Sequence, residues 1–360
     1  RGASRRPVGR SMLEKTSETK VLRDPIHEYI HIEDQLIWDL LSCAEVQRLK
    51  RIHQLGTTYQ VYHTAEHSRF AHSLGVYEVV RRMVTEISGI DEILSEEDKI
   101  AVMAAGLLHD VGHGPFSHIF ETISKIHHEL ITQRIILEDS EVHRVLEKAK
   151  PGLSKTVASI LNHTHPKVVL TQFVSGQLDA DRMDYLLRDA YFTGTSYGQY
   201  DIERILRTFK VSHDKLTIKE SGVHSIEDYI MARYHMYYQV YYHPVGRAVE
   251  AVLIGFFKRL EDLVNADPSV IEQYPMFKIL FGQTDLNAFF HLDEAACFYG
   301  FHLASEASDP ILSDLGRRIL NRRLFEYQDI SSNEERLMIK QKVETKVDSR
   351  YYFYQDGMVS

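Results

Sequence analysis

Cysteine is nearly absent from this 360-residue chain, with only Cys43 and Cys297 present. Two thiols with no secretory leader exclude the disulfide framework of a small extracellular domain and make the cytoplasm the expected compartment. No run of eighteen apolar residues occurs, so neither a membrane-spanning helix nor a membrane partner is expected. A net charge of −9 excludes a protein built chiefly to coat nucleic acid, while leaving room for a local basic pocket. Internal repeats and low-complexity tracts are missing too. The first eleven residues, RGASRRPVGRS, have no apolar stretch and precede Met12, so they read as an expression remnant.

What is present is apolar mass and histidine. The 44% hydrophobic content is ample for one large or two modest domains, and there are 20 His. From Ile100 to Leu108 the chain is almost unbroken apolar residues, the pattern of a helix buried on all sides. That helix ends in His109, Asp110 and His113, where Gly112, Gly114 and Pro115 turn the backbone. Burying imidazole beside carboxylate costs several kcal/mol unless a partner or metal compensates, and a metal site explains the placement best. A lone His on an apolar helix is usually a satisfied core residue. Here His67, His72, His118, His127, His128 and Glu129 join the group from other segments. Arg69, Arg182, Arg188 and Arg233 fall inside the same blocks and are candidates for a basic pocket.

Around this centre the periodicity is helical. The segment 21–35 reads as short and extended, broken by Pro25, and a helix is expected over 36–53. Ser95 before Glu96, Glu97 and Asp98 is a capping signal for the central helix. Helices are expected over 117–138, 141–149, 153–163, 177–191, 201–208, 225–243 and 245–265, with helical pattern from 270 to 325. One hairpin stands out, FKVSHDKLTIKESG around His213 and Asp214. The expected fold is mostly α, a helical core with a second helical subdomain and a small β-hairpin. The boundaries fall at 1–19 for the remnant and a flexible N-terminus, 20–210 for the core domain, 211–325 for the second subdomain and 326–360 for a tail.

Four linked phrases, AEHSRFAHSLGV, AAGLLHDVGHGPFSH, HHELI and QLDADRMDYLLRDAYFTG, resemble the HD-domain phosphohydrolases in order and separation. The resemblance runs from about Val21 to about Arg323, and is strongest to the branch of deoxynucleoside triphosphate (dNTP) triphosphohydrolases that includes the SAM-and-HD-domain enzymes. It implies that the core is an HD catalytic domain. It implies His72, His109, Asp110 and Asp181 as ligands of one divalent ion, and that donor set suits Mn, Fe, Ni or Mg better than a closed structural Zn site. It implies water attack at the α-phosphorus, with His118 acting on the leaving oxygen and Glu121, where members often carry Asp, orienting it. His128 and Glu129 match a second active-site pair, and His113 would line the phosphates.

Substrate contacts follow in the same way. Arg69 and Arg233 match phosphate-facing residues, and Arg182 stands where Lys is often found. Gln54, Leu55, Tyr185 and Asp189 match positions around the deoxyribose, where Gln54 and Asp189 can bond a 3′ hydroxyl and Leu55 and Tyr185 leave no place for a 2′ hydroxyl. Tyr241 matches a base-facing position, and Tyr237 stands where some members have His. Lys20, Gln47 and Lys50 resemble part of a regulatory site for a dGTP or GTP activator, although Ser42 replaces an expected acidic residue. The resemblance also implies a homo-oligomer, a tetramer or dimer. Two other readings compete: a phosphohydrolase of signalling or cyclic nucleotides, and a silent regulator that binds nucleotides or single-stranded nucleic acid.

Overall fold

The turn at Asp24 sets the start of the chain. Its Oδ2 accepts hydrogen bonds from the Ile26 and His27 backbone N–H groups, both 3.0 Å away, and folds residues 24–28 into a tight reversal. The computed structural model describes residues 14–282 and 285–357, so the remnant expected over the first eleven residues lies outside the described residues. Strands Lys15–Asp24 and Glu28–Asp34 pair antiparallel, with Leu22 opposite Ile30 and Asp24 opposite Glu28. This hairpin corrects the expectation of a single broken extended segment, and it places residues 15–19 in a strand rather than a flexible end. Ile30 and Ile32 point into the core.

The helix expected over 36–53 divides into Gln35–Leu41, Ala44–Arg48 and a 3-10 turn at Leu49–Arg51. Cys43 adopts an extended conformation between the first two, which redirects the axis while Leu36, Ile37, Leu40, Val46 and Leu49 all stay buried. The central helix spans Glu96–Leu108. Its capping box is complete, since Ser95 Oγ accepts from Asp98 N–H at 3.1 Å and Asp98 Oδ2 from Ser95 N–H at 3.0 Å. From Lys99 to Leu108 every residue is buried. The helices Arg69–Glu86, Leu153–Leu161 and Val168–Val174 pack around it, and Ala180–Thr193 packs on Arg69–Glu86.

The helix expected over 117–138 breaks into His118–Ser124 and His128–Leu137, because Lys125 takes a left-handed conformation (φ 60°). The hairpin Phe209–Ser212/Lys215–Ile218 forms as expected, its two turn residues His213 and Asp214 both at positive φ. Beyond it, Val223–Met236 runs into a π-turn at Tyr237–Tyr241 before Pro244 starts the 23-residue helix Pro244–Ala266. That helix is the spine of the second helical unit, against which Pro310–Asn321 packs. Phe256, Phe257, Phe277 and Phe301 stack edge to face at its centre. The short helix Ser349–Tyr352 also folds onto this unit: Tyr351 is buried, and its hydroxyl donates to Asp262.

Candidate metal and phosphate site

Three helices converge on one point. Arg69–Glu86 supplies His72, the end of Glu96–Leu108 supplies His109 and Asp110, and the first turn of Ala180–Thr193 supplies Asp181. Asp179 caps that last helix by accepting from Arg182 N–H at 2.7 Å, which fixes where Asp181 emerges. His72 Nε2 lies 2.9 Å from Asp181 Oδ1 and 3.7 Å from Asp110 Oδ2. His109 Nε2 lies 3.3 Å from Asp181 Oδ1 and 3.4 Å from Asp110 Oδ1. The other nitrogen of each ring is already committed, His109 Nδ1 to the Gly106 carbonyl at 2.8 Å and His72 Nδ1 to Asp184 at 2.7 Å.

These residues fit a divalent cation. His109 Nε2 is buried and has no hydrogen-bond partner, although two carboxylates lie beside it. A nitrogen lone pair aimed at the same point as His72 Nε2 and Asp181 Oδ1 is what a cation requires. The charge balance agrees. Burial opposes a charge on His72, yet Asp181 and Asp184 outweigh it and push the imidazolium up to about 10. Burial also opposes charge on Asp181, and His109 and His72 hold it below the ordinary carboxylate range all the same. The pocket is thus already arranged for positive charge.

Asp184 escaped the sequence reading. It bridges His72 Nδ1 and His27 Nε2, the latter at 2.6 Å, and accepts from Arg188, which also donates to Asp24. Arg188, expected in a phosphate pocket, is instead fully buried between these two carboxylates. Its charge is needed there, because Asp184 buried without it would be strongly destabilising. A partner of this kind orients a metal-binding imidazole and fixes its tautomer.

On the other side, Arg69 donates to Asp110 Oδ2 at 2.8 Å and to Ser117 Oγ at 3.1 Å. Ser117 and Phe116 both have positive φ, so the turn presenting His118 is strained, and Arg69 helps to hold it. His113 stacks on His128 with ring centroids 3.8 Å apart. Burial and the Arg69 guanidinium push His113 down to about 3, which keeps it neutral. Glu121, expected to orient His118, instead holds His128 through both its backbone N–H and its ring. His118 Nε2 lies 3.3 Å from Glu250 Oε2, on the Pro244–Ala266 helix. Glu129 is exposed on the first turn of the following helix.

The substrate-side residues gather along Ala180–Thr193. Both Asp189 oxygens are engaged, Oδ1 2.7 Å from His67 Nε2 and Oδ2 accepting from the Tyr241 hydroxyl at 2.7 Å, and each oxygen keeps a second lone pair. The Tyr185 and Tyr237 hydroxyls lie 3.2 Å apart, and both rings meet Tyr241 edge to face. Arg233 sits over the Tyr237 ring. Gln54 is tied by its backbone to the His67 carbonyl while its Oε1 is buried without a partner, and Leu55 beside it is half-buried. Arg182 turns back onto Asp179 and the Gly176 carbonyl. Away from the site, Lys20 pairs with Glu18, Gln47 donates to the Leu41 carbonyl and Lys50 covers the Phe70 ring.

The helices that bring His72, His109, Asp110 and Asp181 together beside a buried arginine form a candidate metal site. The HD domain family matches residues 69–189, and the HD associated region matches residues 200–350. YwfO of Bacillus subtilis is 47% identical over 95% of this chain and 80% of its own length. The deoxynucleoside triphosphate triphosphohydrolase SAMHD1 homologue of Dictyostelium discoideum is 30% identical over 69% of this chain and 50% of its own. A solved phosphohydrolase of Bacteroides thetaiotaomicron superposes with a TM-score of 0.80 at 30% identity, covering 91% of this chain and 84% of that one. The chain belongs to the HD-domain phosphohydrolase family. No helix among the described residues is long and apolar enough to cross a membrane.

Proposed function

We propose that the protein hydrolyses dNTPs to deoxynucleoside and inorganic triphosphate. The observation that carries this reading is the stripe Asp181, Tyr185, Asp189 on one helix. Steps of four residues are roughly 6 Å along the axis, so the stripe leads from the candidate ion site, past an aromatic ring, to a carboxylate. That sequence of groups suits a phosphate, a sugar face and a sugar hydroxyl. His72, His109, Asp110 and Asp181 would hold the ion, which neutralises phosphate charge and lowers the pKa of bound water. Arg69 and neutral His113 stand beside Asp110 to receive phosphate oxygens, with Arg182 and Arg233 at the edges. His118 delivers a proton to the 5′ oxygen as its bond to the α-phosphorus breaks. Tyr185 and Leu55 crowd the 2′ position, while Asp189 and Gln54 offer acceptors to a 3′ hydroxyl.

The test is a substrate panel. The metal-loaded protein is incubated with each dNTP and NTP, with and without dGTP or GTP, because Lys20, Gln47 and Lys50 are the residues an activator would meet in a homo-oligomer. Inorganic triphosphate from dNTPs, with NTPs turned over at least about tenfold more slowly, is the expected result. Pyrophosphate, orthophosphate or no product in every condition would contradict the reading.

A further inference from the structure

His118 has an unusual situation for a proton donor. Its side chain is 54% exposed, and it stands on the first turn of a seven-residue helix after a strained turn. A ring so placed rotates freely unless something holds it. The acidic residue one turn along its own helix, Glu121, is committed to His128. The partner His118 does have comes from the HD-associated region: Glu250, largely buried at 15% exposure, on the Pro244–Ala266 helix that packs against His118–Ser124.

We propose that Glu250 is the positioning residue of His118, so that the associated region supplies part of the proton-delivery apparatus that the HD domain lacks. The inference rests on the role given to His118 above. The carboxylate engages Nε2 and so fixes the ring plane and the tautomer, as a third group orients the base in other hydrolase triads. Glu250 is itself held. Arg247 Nη1 lies 3.3 Å from its Oε2, and Arg247 Nε lies 3.1 Å from Asp356, near the chain's end.

The charges facing His118 come from two helices and the C-terminal segment. Glu250, 3.3 Å from Nε2, raises its affinity for a proton, partial burial and Arg247 work the other way, and Glu121 adds a smaller attraction. Asp356 and Tyr354 stand behind Arg247 and Glu250. The balance keeps His118 protonated above the ordinary imidazole range, as a general acid requires.

The test uses the full chain with Glu250→Gln, which keeps volume and hydrogen bonding but removes the charge, and Glu250→Asp. The His118 ring is titrated by NMR, its signal assigned by loss in His118→Ala, and kcat and KM are followed against pH. In Glu250→Gln the His118 midpoint falls by about 0.5–1 unit. On the basic limb kcat then drops about three- to tenfold, with KM within about twofold of the parent, because one unit is a factor of ten in protonated fraction. Glu250→Asp recovers part of the shift. An unmoved midpoint, or a loss of kcat equal at every pH, overturns the proposal. The NMR arm reads the pair whatever the substrate is. A shifted midpoint in a protein that releases no triphosphate supports the pairing and removes only the dNTP reading.

Discussion

His72 has both ring nitrogens engaged by carboxylates from one helix, Asp181 on Nε2 and Asp184 on Nδ1. It is therefore oriented before any ion arrives. Asp181 is the proposed ligand that closes the site, since its Oδ1 lies near both imidazoles. Asp181→Ala should lose bound metal, read by elemental analysis, together with turnover; a metal-replete, active variant would contradict the ligand assignment. The residues that could be read from the sequence were those with no ordinary structural excuse: His109 and Asp110 end an apolar run, and His72 sits in a helix of buried residues. Asp184 and Glu250 could not be read. An acidic residue on a helix already has a solvent-facing explanation, and only tertiary packing turns these two inward.

The Arg69–Glu86 helix carries a glycine where helix propensity alone would prefer alanine by about 1 kcal/mol. A Cβ at Gly75 would overlap the Asp184 carboxylate and the Arg188 guanidinium, so the helices approach closely at the point where His72 meets Asp184. Gly75→Ala should lower Tm by several degrees, the overpacking cost of roughly 1–3 kcal/mol outweighing the propensity gain; a raised Tm in thermal denaturation would refute this. Helix starts were legible where chemistry marks them, as at Ser95. The hairpin at 15–34 was not, because Lys15–Asp24 carries only the adjacent apolar pair Val21 and Leu22, so its sequence shows no alternation, and Pro25 reads as a break rather than part of a reversal. The division of 36–53 escaped for the opposite reason: its apolar pattern continues through the bend at Cys43, since all three short pieces bury the same side.

Across the whole molecule, buried charge ties the parts together. Arg48 is fully buried and donates to the His113 carbonyl at 2.8 Å and the Leu292 carbonyl at 3.0 Å, joining the HD turn to the associated region. Arg188 joins the N-terminal hairpin to the site through Asp24 and Asp184. Such links are invisible in sequence, since they join residues far apart in the chain, whereas the mostly helical class followed from periodicity alone. Their pH dependence has a definite sign. Burial opposes ionisation of Asp184, but Arg188, His27 and His72 hold it well below 3.8; a hydrogen bond from Arg259 holds Asp309 below the same value. Both folded values lie under those of the unfolded chain, so the stabilisation is present above about pH 4 and is lost as the pH falls through the folded values. Melting of the metal-free protein should show Tm falling below pH 4, and a Tm unchanged to pH 3 would contradict these pairings. Attack at the α-phosphorus of a dNTP is tested by mass analysis of products formed in 18O-water. Water attacking the α-phosphorus leaves the label in inorganic triphosphate and none in the deoxynucleoside. Label in the deoxynucleoside, or in pyrophosphate or orthophosphate, would contradict it.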